Sequence, residues 1–253
     1  MTEGGCGCAL NRIEQLVRHA YWEAGADGVV VGVSGGVDSA VAAAVCVRAL
    51  GPESVLALSL PCAVSASADL EDAAELCRRL GCEHRVVPIE PVVAAYRSLP
   101  DFVDSPYLLG NLMARTRMVV LYYHANRDHR LVCGTSNRTE YLLGYFTKWG
   151  DGAGDVEPLL HLYKRDVYRL ARELDLPERI LAKPPSAGLW YGQQDETELG
   201  LSYDAIDDAL AALAAHEWWA ETPVEEKVLA RVKASGHKRR EALSLLTDNF
   251  GIG

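Results

Sequence analysis

Apolar residues come in two patterns along this chain, and the boundary between them runs through the first loop. Val29 to Val33 is an unbroken apolar run without alternation, the pattern of a parallel strand covered on both faces. Small residues follow at Ser34-Gly35-Gly36, and a helix then runs from about Ala40 to Leu50. Two further strands are predicted over Ser54–Leu60 and His84–Ile89, with a helix over Leu70–Leu80 between them that Gly81 closes. After a break from Pro100 to Pro106 come a long helix, Leu109–Asn126, and a short strand, Leu131–Gly134. Strands alternating with helices in this way predict an α/β fold, a doubly wound parallel sheet with its ligand at the carboxyl ends of the strands.

Helical spacing governs both ends. Leu10, Ile13, Leu16, Val17 and Ala20 form one stripe, with Tyr21 and Trp22 just before the first strand. Trp22 is expected to cover the sheet edge, and Tyr21 to offer a stacking surface at the mouth of the site. Near the other end, Tyr203, Ile206, Leu210 and Leu213 share a helix face. A second helix starts at Thr222-Pro223-Val224-Glu225, with an N-cap, a Pro at N1 and a capping-box Glu, and stops at Gly236. These helices are expected to flank the sheet or to form a dimer contact. The segment Lys183–Gly192, with Pro184, Pro185, Gly188 and Gly192, is the nearest thing to a linker.

With 253 residues, 49% of them hydrophobic, the chain suits one large α/β domain. The expected division is an N-terminal helix over 1–20, a nucleotide-binding core over 21–180, and a lid with C-terminal helices over 181–253. No apolar run is long enough to span a bilayer and no signal-peptide pattern opens the chain, so a cytoplasmic location is expected. Seven scattered cysteines, among them Cys46, Cys77 and Cys133 in predicted helices and a strand, fit reduced core residues. Cys6-Gly7-Cys8 reads as a frayed tail. The formal net charge of −10 argues against a nucleic-acid partner.

The turn after the first strand is where chemistry enters. Ser34-Gly35-Gly36 lets backbone N–H groups converge on a helix N-terminus, a ready site for phosphate. The lysine of a Walker A loop is missing and Asp38 stands in its place. A carboxylate beside phosphate calls for a metal between them, which points to Mg²⁺. The bland alternative is an ordinary Gly-rich turn with Asp38 favouring the helix dipole.

The S-G-G-x-D-S sequence, Ser34 to Ser39, resembles the pyrophosphate loop of the N-type ATP-pyrophosphatases, whose members include NAD synthetases, GMP synthetases, argininosuccinate synthetases and tRNA-modifying enzymes. The resemblance implies the adenine-nucleotide α-hydrolase type of fold, with Gly32, Val33, Ser34, Gly35, Gly36, Val37, Asp38 and Ser39 against ATP. The loop Pro61–Ser67 would border the adenine.

Later segments narrow the resemblance. Asn111-Leu112-Met113-Ala114-Arg115-Thr116-Arg117-Met118 is similar to the N-x-x-A-R-x-R-M block of NAD synthetases, which implies that Arg115 contacts deamido-NAD. Gly134-Thr135-Ser136-Asn137-Arg138-Thr139-Glu140 follows a strand and enters a helix. From the residues alone, Thr135 is either a nucleotide contact or an N-cap, and Glu140 either a second Mg²⁺ carboxylate or a first-turn acid. Gly144-Tyr145-Phe146-Thr147-Lys148-Trp149-Gly150-Asp151-Gly152-Ala153-Gly154-Asp155 combines four glycines with three aromatics. It resembles the G-Y-F-T-K-x-G-D-x-x-x-D signature of the same family, with Lys148 and Asp155 toward the dinucleotide.

Lys164 falls in the first turn of a helix, where a cation costs about 0.3–1 kcal/mol against the dipole, so a phosphate partner is expected. Lys183-Pro184-Pro185-Ser186-Ala187-Gly188-Leu189 resembles the family's K-x-P-[ST]-A-x-L lid, with Ser186 supplying the hydroxyl. His237 and Lys238 match an H-K pair that closes over the dinucleotide.

Six motifs in the family's order identify the chain as a member of the NAD synthetases. The resemblance implies a homodimer using ATP, deamido-NAD and ammonia. Asp38, Lys164 and Ser186 would be catalytic, Asp38 and Glu140 the Mg²⁺ ligands, and Arg115, Lys148, Asp155, His237, Lys238 and Tyr21 the deamido-NAD contacts. Ammonia is expected over glutamine because only about two dozen residues precede the first strand. Two readings compete: another ATP-pyrophosphatase acting on a different acid, and a non-catalytic nucleotide-binding module of the same fold. The second would have no reason to keep Glu140, Lys164 and Ser186 together.

Overall fold

A computed structural model of the chain describes residues 5–242, with side chains from Ala9 onward. In chain order the elements are α1 (Gly5–Glu23), β1 (Gly28–Gly32), α2 (Val37–Leu50), β2 (Val55–Ser59), α3 (Ser67–Leu80), β3 (Glu83–Val86), α4 (Glu90–Arg97), α5 (Pro106–Arg127), β4 (Arg130–Cys133) and α6 (Arg138–Leu143). They continue as α7 (Lys164–Glu173), α8 (Glu178–Leu181), α9 (Asp195–Leu199), α10 (Tyr203–Ala215) and α11 (Pro223–Ala234).

The four strands form one parallel sheet in the order β3-β2-β1-β4, with Val30 registered against Leu56 on one side and Val132 on the other. Chain order reverses at β1, which lies between β2 and β4. The carboxyl ends of β1 and β4 therefore meet at a switch point, the position where open α/β sheets bind ligands. Both central strands are buried on each face, as their unbroken apolar runs require. One face carries α1, α2 and α7 over a core built from Ile13, Val17, Val31, Val41, Val45, Leu159 and Leu170. The other carries α4 and α5, with Val30, Leu56, Leu58, Ile89, Met113 and Leu121 between them. A third apolar cluster, from Leu143 through Ile206, Leu210 and Val228, packs α10 and α11 on α6.

Three expectations change. The third strand ends at Val86, and Glu90–Arg97 is a helix, with Pro91 in its first turn where a missing N–H costs nothing. The Cys6-Gly7-Cys8 backbone belongs to α1 and is no frayed tail. Trp22 covers nothing: it is 70% exposed. Cys46, Cys62, Cys77, Cys82 and Cys133 are buried and free, as expected of reduced core residues. Among the described residues no helix is long and apolar enough to cross a membrane.

Candidate active site

The first loop leaves β1 and turns at Gly35, whose φ of +81° puts it in the left-handed region. A Cβ there would stand 2.5 Å from the Asp69 carbonyl oxygen, so only glycine fits. Ser39 fixes the loop from inside: its Oγ accepts the Ser34 N–H at 3.2 Å and donates to the Gly36 carbonyl at 3.0 Å. Gly36 is the N-cap of α2 and no side chain caps that helix. Its first N–H groups are thus free to face an anion.

Asp38, one residue inside α2, points at the turn after β4. Asn137, fully buried, donates from Nδ2 to Asp38 Oδ1 at 2.8 Å and accepts the Glu140 N–H at 3.0 Å. The N-cap of α6 is therefore Asn137. Thr135, a candidate for that position, is left beside the carboxyl end of β4 with no capping duty.

Lys164 completes the cluster. Its Nζ lies 2.7 Å from Asp38 Oδ2 and 2.9 Å from Glu140 Oε1, and 4.9 Å from the centre of the Tyr203 ring. The lysine is only 3% exposed. Two carboxylates offset the cost of a first-turn cation directly. The α7 N-terminus is satisfied as well, since Thr139 Oγ1 accepts the Lys164 N–H and Asp207 the Arg165 N–H.

The charges explain one another. Burial alone would push the Lys164 ammonium toward neutrality, but Asp38 and Glu140 more than offset it and hold the group charged. Two carboxylates face one ammonium, so one negative charge is uncompensated. Burial accordingly pushes the Glu140 carboxyl up to about 7, Lys164 opposing and Asp38 adding to the shift. Converging carboxylate oxygens with residual negative charge are the donor type that Mg²⁺ takes, so Asp38 and Glu140 fit that ion.

The segment from Lys183 to Gly192 bends back over this end of the sheet. Lys183 Nζ reaches the Gly35 carbonyl at 3.2 Å and pairs with Asp69 and Asp72 at 2.6 Å each. Sequence reasoning read Lys183 only as the first letter of a motif. Ser186 turns into its own loop, donating to the Gln193 carbonyl at 2.8 Å and accepting the Gly188 N–H at 3.1 Å.

Residues expected around the dinucleotide fall into two sets. Arg115, Lys148 and Lys238 lie together: Arg115 Nε donates to the Lys148 carbonyl, and Lys148 Nζ to the carbonyls of His237 and Arg240. Lys238 Nζ donates to the carbonyls of Gly144 and Phe146. Gly144, at φ +64°, admits this packing, because a Cβ would lie 2.2 Å from Ser235 Cβ. His237 stays with its own helix end, its Nδ1 3.3 Å from the Ala234 carbonyl.

Asp155 and Tyr21 stand on other parts of the fold. The Asp155 carboxylate already accepts the Tyr122 hydroxyl at 3.0 Å and the Val132 N–H at 2.7 Å, so it ties β4 to the following loop. Tyr21 sits in the last turn of α1, which leads into the amino end of β1 and away from the switch point. Within one chain it does not reach the site.

Of the three aromatics in the glycine-rich segment, Phe146 stacks on Tyr141 and Tyr145 hydrogen-bonds Asp195, while Trp149 is 61% exposed. Asn137, Lys183, Asp195 and Tyr203 were missed. Only Asn137 carried a readable signal, as an N-cap residue three positions before Glu140.

The description NAD synthase belongs to the family model that matches residues 9–242. The NH(3)-dependent NAD(+) synthetase of Methanoregula boonei is 63% identical over 95% of this chain and 97% of its own. That of Thermococcus kodakarensis is 45% identical over 92% and 94%. Among solved structures, the NMN synthetase of Francisella tularensis superposes with a TM-score of 0.87 at 38% identity, covering 97% of this chain and 99% of that one. The NH3-dependent NAD synthetase of Campylobacter jejuni gives 0.83 at 31% identity, with the same coverage. The two carboxylates, the bridging lysine and the uncapped helix thus lie in a chain that belongs to the NAD synthase family.

Proposed function

We propose that this chain amidates deamido-NAD with ammonia at the expense of ATP, giving NAD⁺, AMP and pyrophosphate. The observation that carries this reading is the convergence of Asp38 and Glu140, from two different strand–helix turns, on one buried lysine beside an uncapped helix N-terminus. Asp38 and Glu140 would hold Mg²⁺, which would supply charge neutralisation for the pyrophosphate leaving group.

The residues of the chain do the rest by position. The N–H groups at the start of α2, with Gly32 to Ser39 around them, cradle the phosphates, and Thr135 reaches the nucleotide from the end of β4. The nicotinate carboxylate attacks the α-phosphorus, the bond to the bridging oxygen breaks, and the electron pair leaves with pyrophosphate. Ammonia then adds to the acyl carbon, loses a proton to water, and AMP departs with the former carboxylate oxygen. Lys164 holds the two carboxylates in register, and Ser186 covers the phosphates from the lid. Arg115, Lys148 and Lys238 keep uncancelled charge for the two dinucleotide phosphates. The assembly proposed is a cytoplasmic homodimer, with no nucleic-acid partner.

A second reading draws on the likeness to the Francisella NMN synthetase: the same amidation of the shorter, mononucleotide acid. One assay separates them. With ATP, Mg²⁺ and ammonium, deamido-NAD is expected to give NAD⁺ with kcat/KM at least about tenfold above that for nicotinate mononucleotide. The reverse order would replace the first reading by the second, and no amide from either would defeat both.

A further inference from the structure

Asp195 and Tyr203 lie outside every motif that pointed to the site, yet both are buried at its edge, at 3% and 5% exposure. Asp195 clamps both neighbours of Ser186. Its backbone N–H donates to the Pro185 carbonyl at 3.1 Å, and its Oδ1 accepts the Ala187 N–H at 2.9 Å. Oδ1 also accepts the Tyr145 hydroxyl at 3.1 Å, and Oδ2 the Tyr203 hydroxyl at 3.0 Å. The same Tyr203 hydroxyl lies 3.4 Å from Glu140 Oε1, while its ring packs against the Lys164 ammonium.

A phenol has one proton. Tyr203 can therefore give one strong hydrogen bond at a time, to Asp195 or to Glu140. While the lid is docked, the shorter contact goes to Asp195. If the Ser186 segment lifts and Asp195 moves with it, the proton is released to Glu140, in competition with Lys164 for the same oxygen. Glu140 keeps the Lys164 ammonium in either case, so the position of the lid decides whether the Tyr203 hydroxyl joins it on the same oxygen.

We propose that Asp195 and Tyr203 are positioning residues that couple the lid around Ser186 to the Asp38–Glu140–Lys164 cluster through this single hydroxyl proton. The coupling rests on the reading of Ser186 as part of the ATP site, and one of its two tests is independent of that reading. Tyr203→Phe keeps the ring beside Lys164 and removes only the hydroxyl. Its kcat is expected to fall about tenfold, with KM for ATP and deamido-NAD changed less than about twofold and the unfolding temperature nearly unchanged. Ser186→Ala should lower kcat as well. The double variant should lose no more than the worse of the two singles, because both break one linkage.

The independent test is chymotrypsin cleavage at Leu189, Trp190 and Tyr191 in the lid, measured on the intact protein without substrates. Tyr203→Phe and Asp195→Asn should each speed cleavage several-fold while the unfolding temperature holds. Losses that multiply in the double variant, or cleavage at the wild-type rate in both singles, would overturn the coupling. A wild-type protein that makes no NAD⁺ would instead overturn the functional reading and leave cleavage to judge the coupling alone.

Discussion

The two ends of the candidate site handle positive charge in opposite ways. At the switch point, Lys164 and Lys183 are paired with carboxylates: Asp38 and Glu140 for one, Asp69 and Asp72 for the other. At the far end, Lys148, Lys238 and Arg115 grip main-chain carbonyls. A carbonyl orients a cation without cancelling its charge. At the first end each lysine is outnumbered by carboxylates, so its charge is cancelled, while the second end keeps a positive field inside a protein whose net charge is −10.

If that contrast is right, breaking a paired cation should damage fold and turnover together. Lys164→Met should cost about 3–5 kcal/mol in denaturant unfolding, because it leaves Asp38 and Glu140 facing each other without a counter-charge. Turnover should fall at least about a thousandfold. Removing one carboxylate is milder for the fold. Asp38→Asn keeps an acceptor for Lys164 and should stay folded, yet lose most Mg²⁺-dependent turnover, about a hundredfold or more. Normal turnover would refute the metal assignment.

The carbonyl-bound cations should behave differently. Lys238→Ala is expected to raise KM for deamido-NAD about tenfold, to leave KM for ATP within about twofold, and to weaken the salt dependence of dinucleotide binding. An equal rise in both KM values would erase the distinction between the two ends.

The smallest effect concerns a buried acid between them. Among the described residues Glu157 Oε2 has no hydrogen-bond partner, and burial pushes this carboxyl up to about 8 from 4.5. A raised folded-state value means the native state binds the extra proton. Its stabilisation is full below pH 4.5 and is lost as pH rises through 8, at no more than about 1.4 kcal/mol per pH unit. Glu157→Gln should therefore unfold at a higher temperature than the parent at pH 8.5, with the gap closing toward pH 5. A gap that does not vary with pH would show that Glu157 finds a partner in solution.

Much of this was legible in the sequence because it is local. The run Val29–Val33, the turn at Gly35 and Asp38 lie within ten residues, and strand periodicity and turn chemistry fix them without help from elsewhere. Lys164 was legible as a cation out of place, but not its partners, which lie 126 and 24 residues away along the chain. Thr135 looked like the cap because it follows the glycine; Asn137 took that role because its amide can also serve Asp38. Asp155 looked like a substrate acceptor because it ends a glycine-rich segment, and only the fold shows Tyr122 and the Val132 N–H already on it. Tyr21 was legible only as a neighbour of the first strand, since adjacency to a strand says nothing about which end of the sheet it serves. The Asp195–Tyr203 pair was invisible, because neither residue type nor spacing singles it out.

The account stands most directly on the route of one oxygen atom. With deamido-NAD labelled by ¹⁸O in its nicotinate carboxylate, turnover with ATP, Mg²⁺ and ammonium should place one label in AMP for every NAD⁺ formed. Label in inorganic phosphate alongside ADP, or unlabelled AMP, would contradict attack of the carboxylate on the α-phosphorus, and with it the role given to the Asp38 loop.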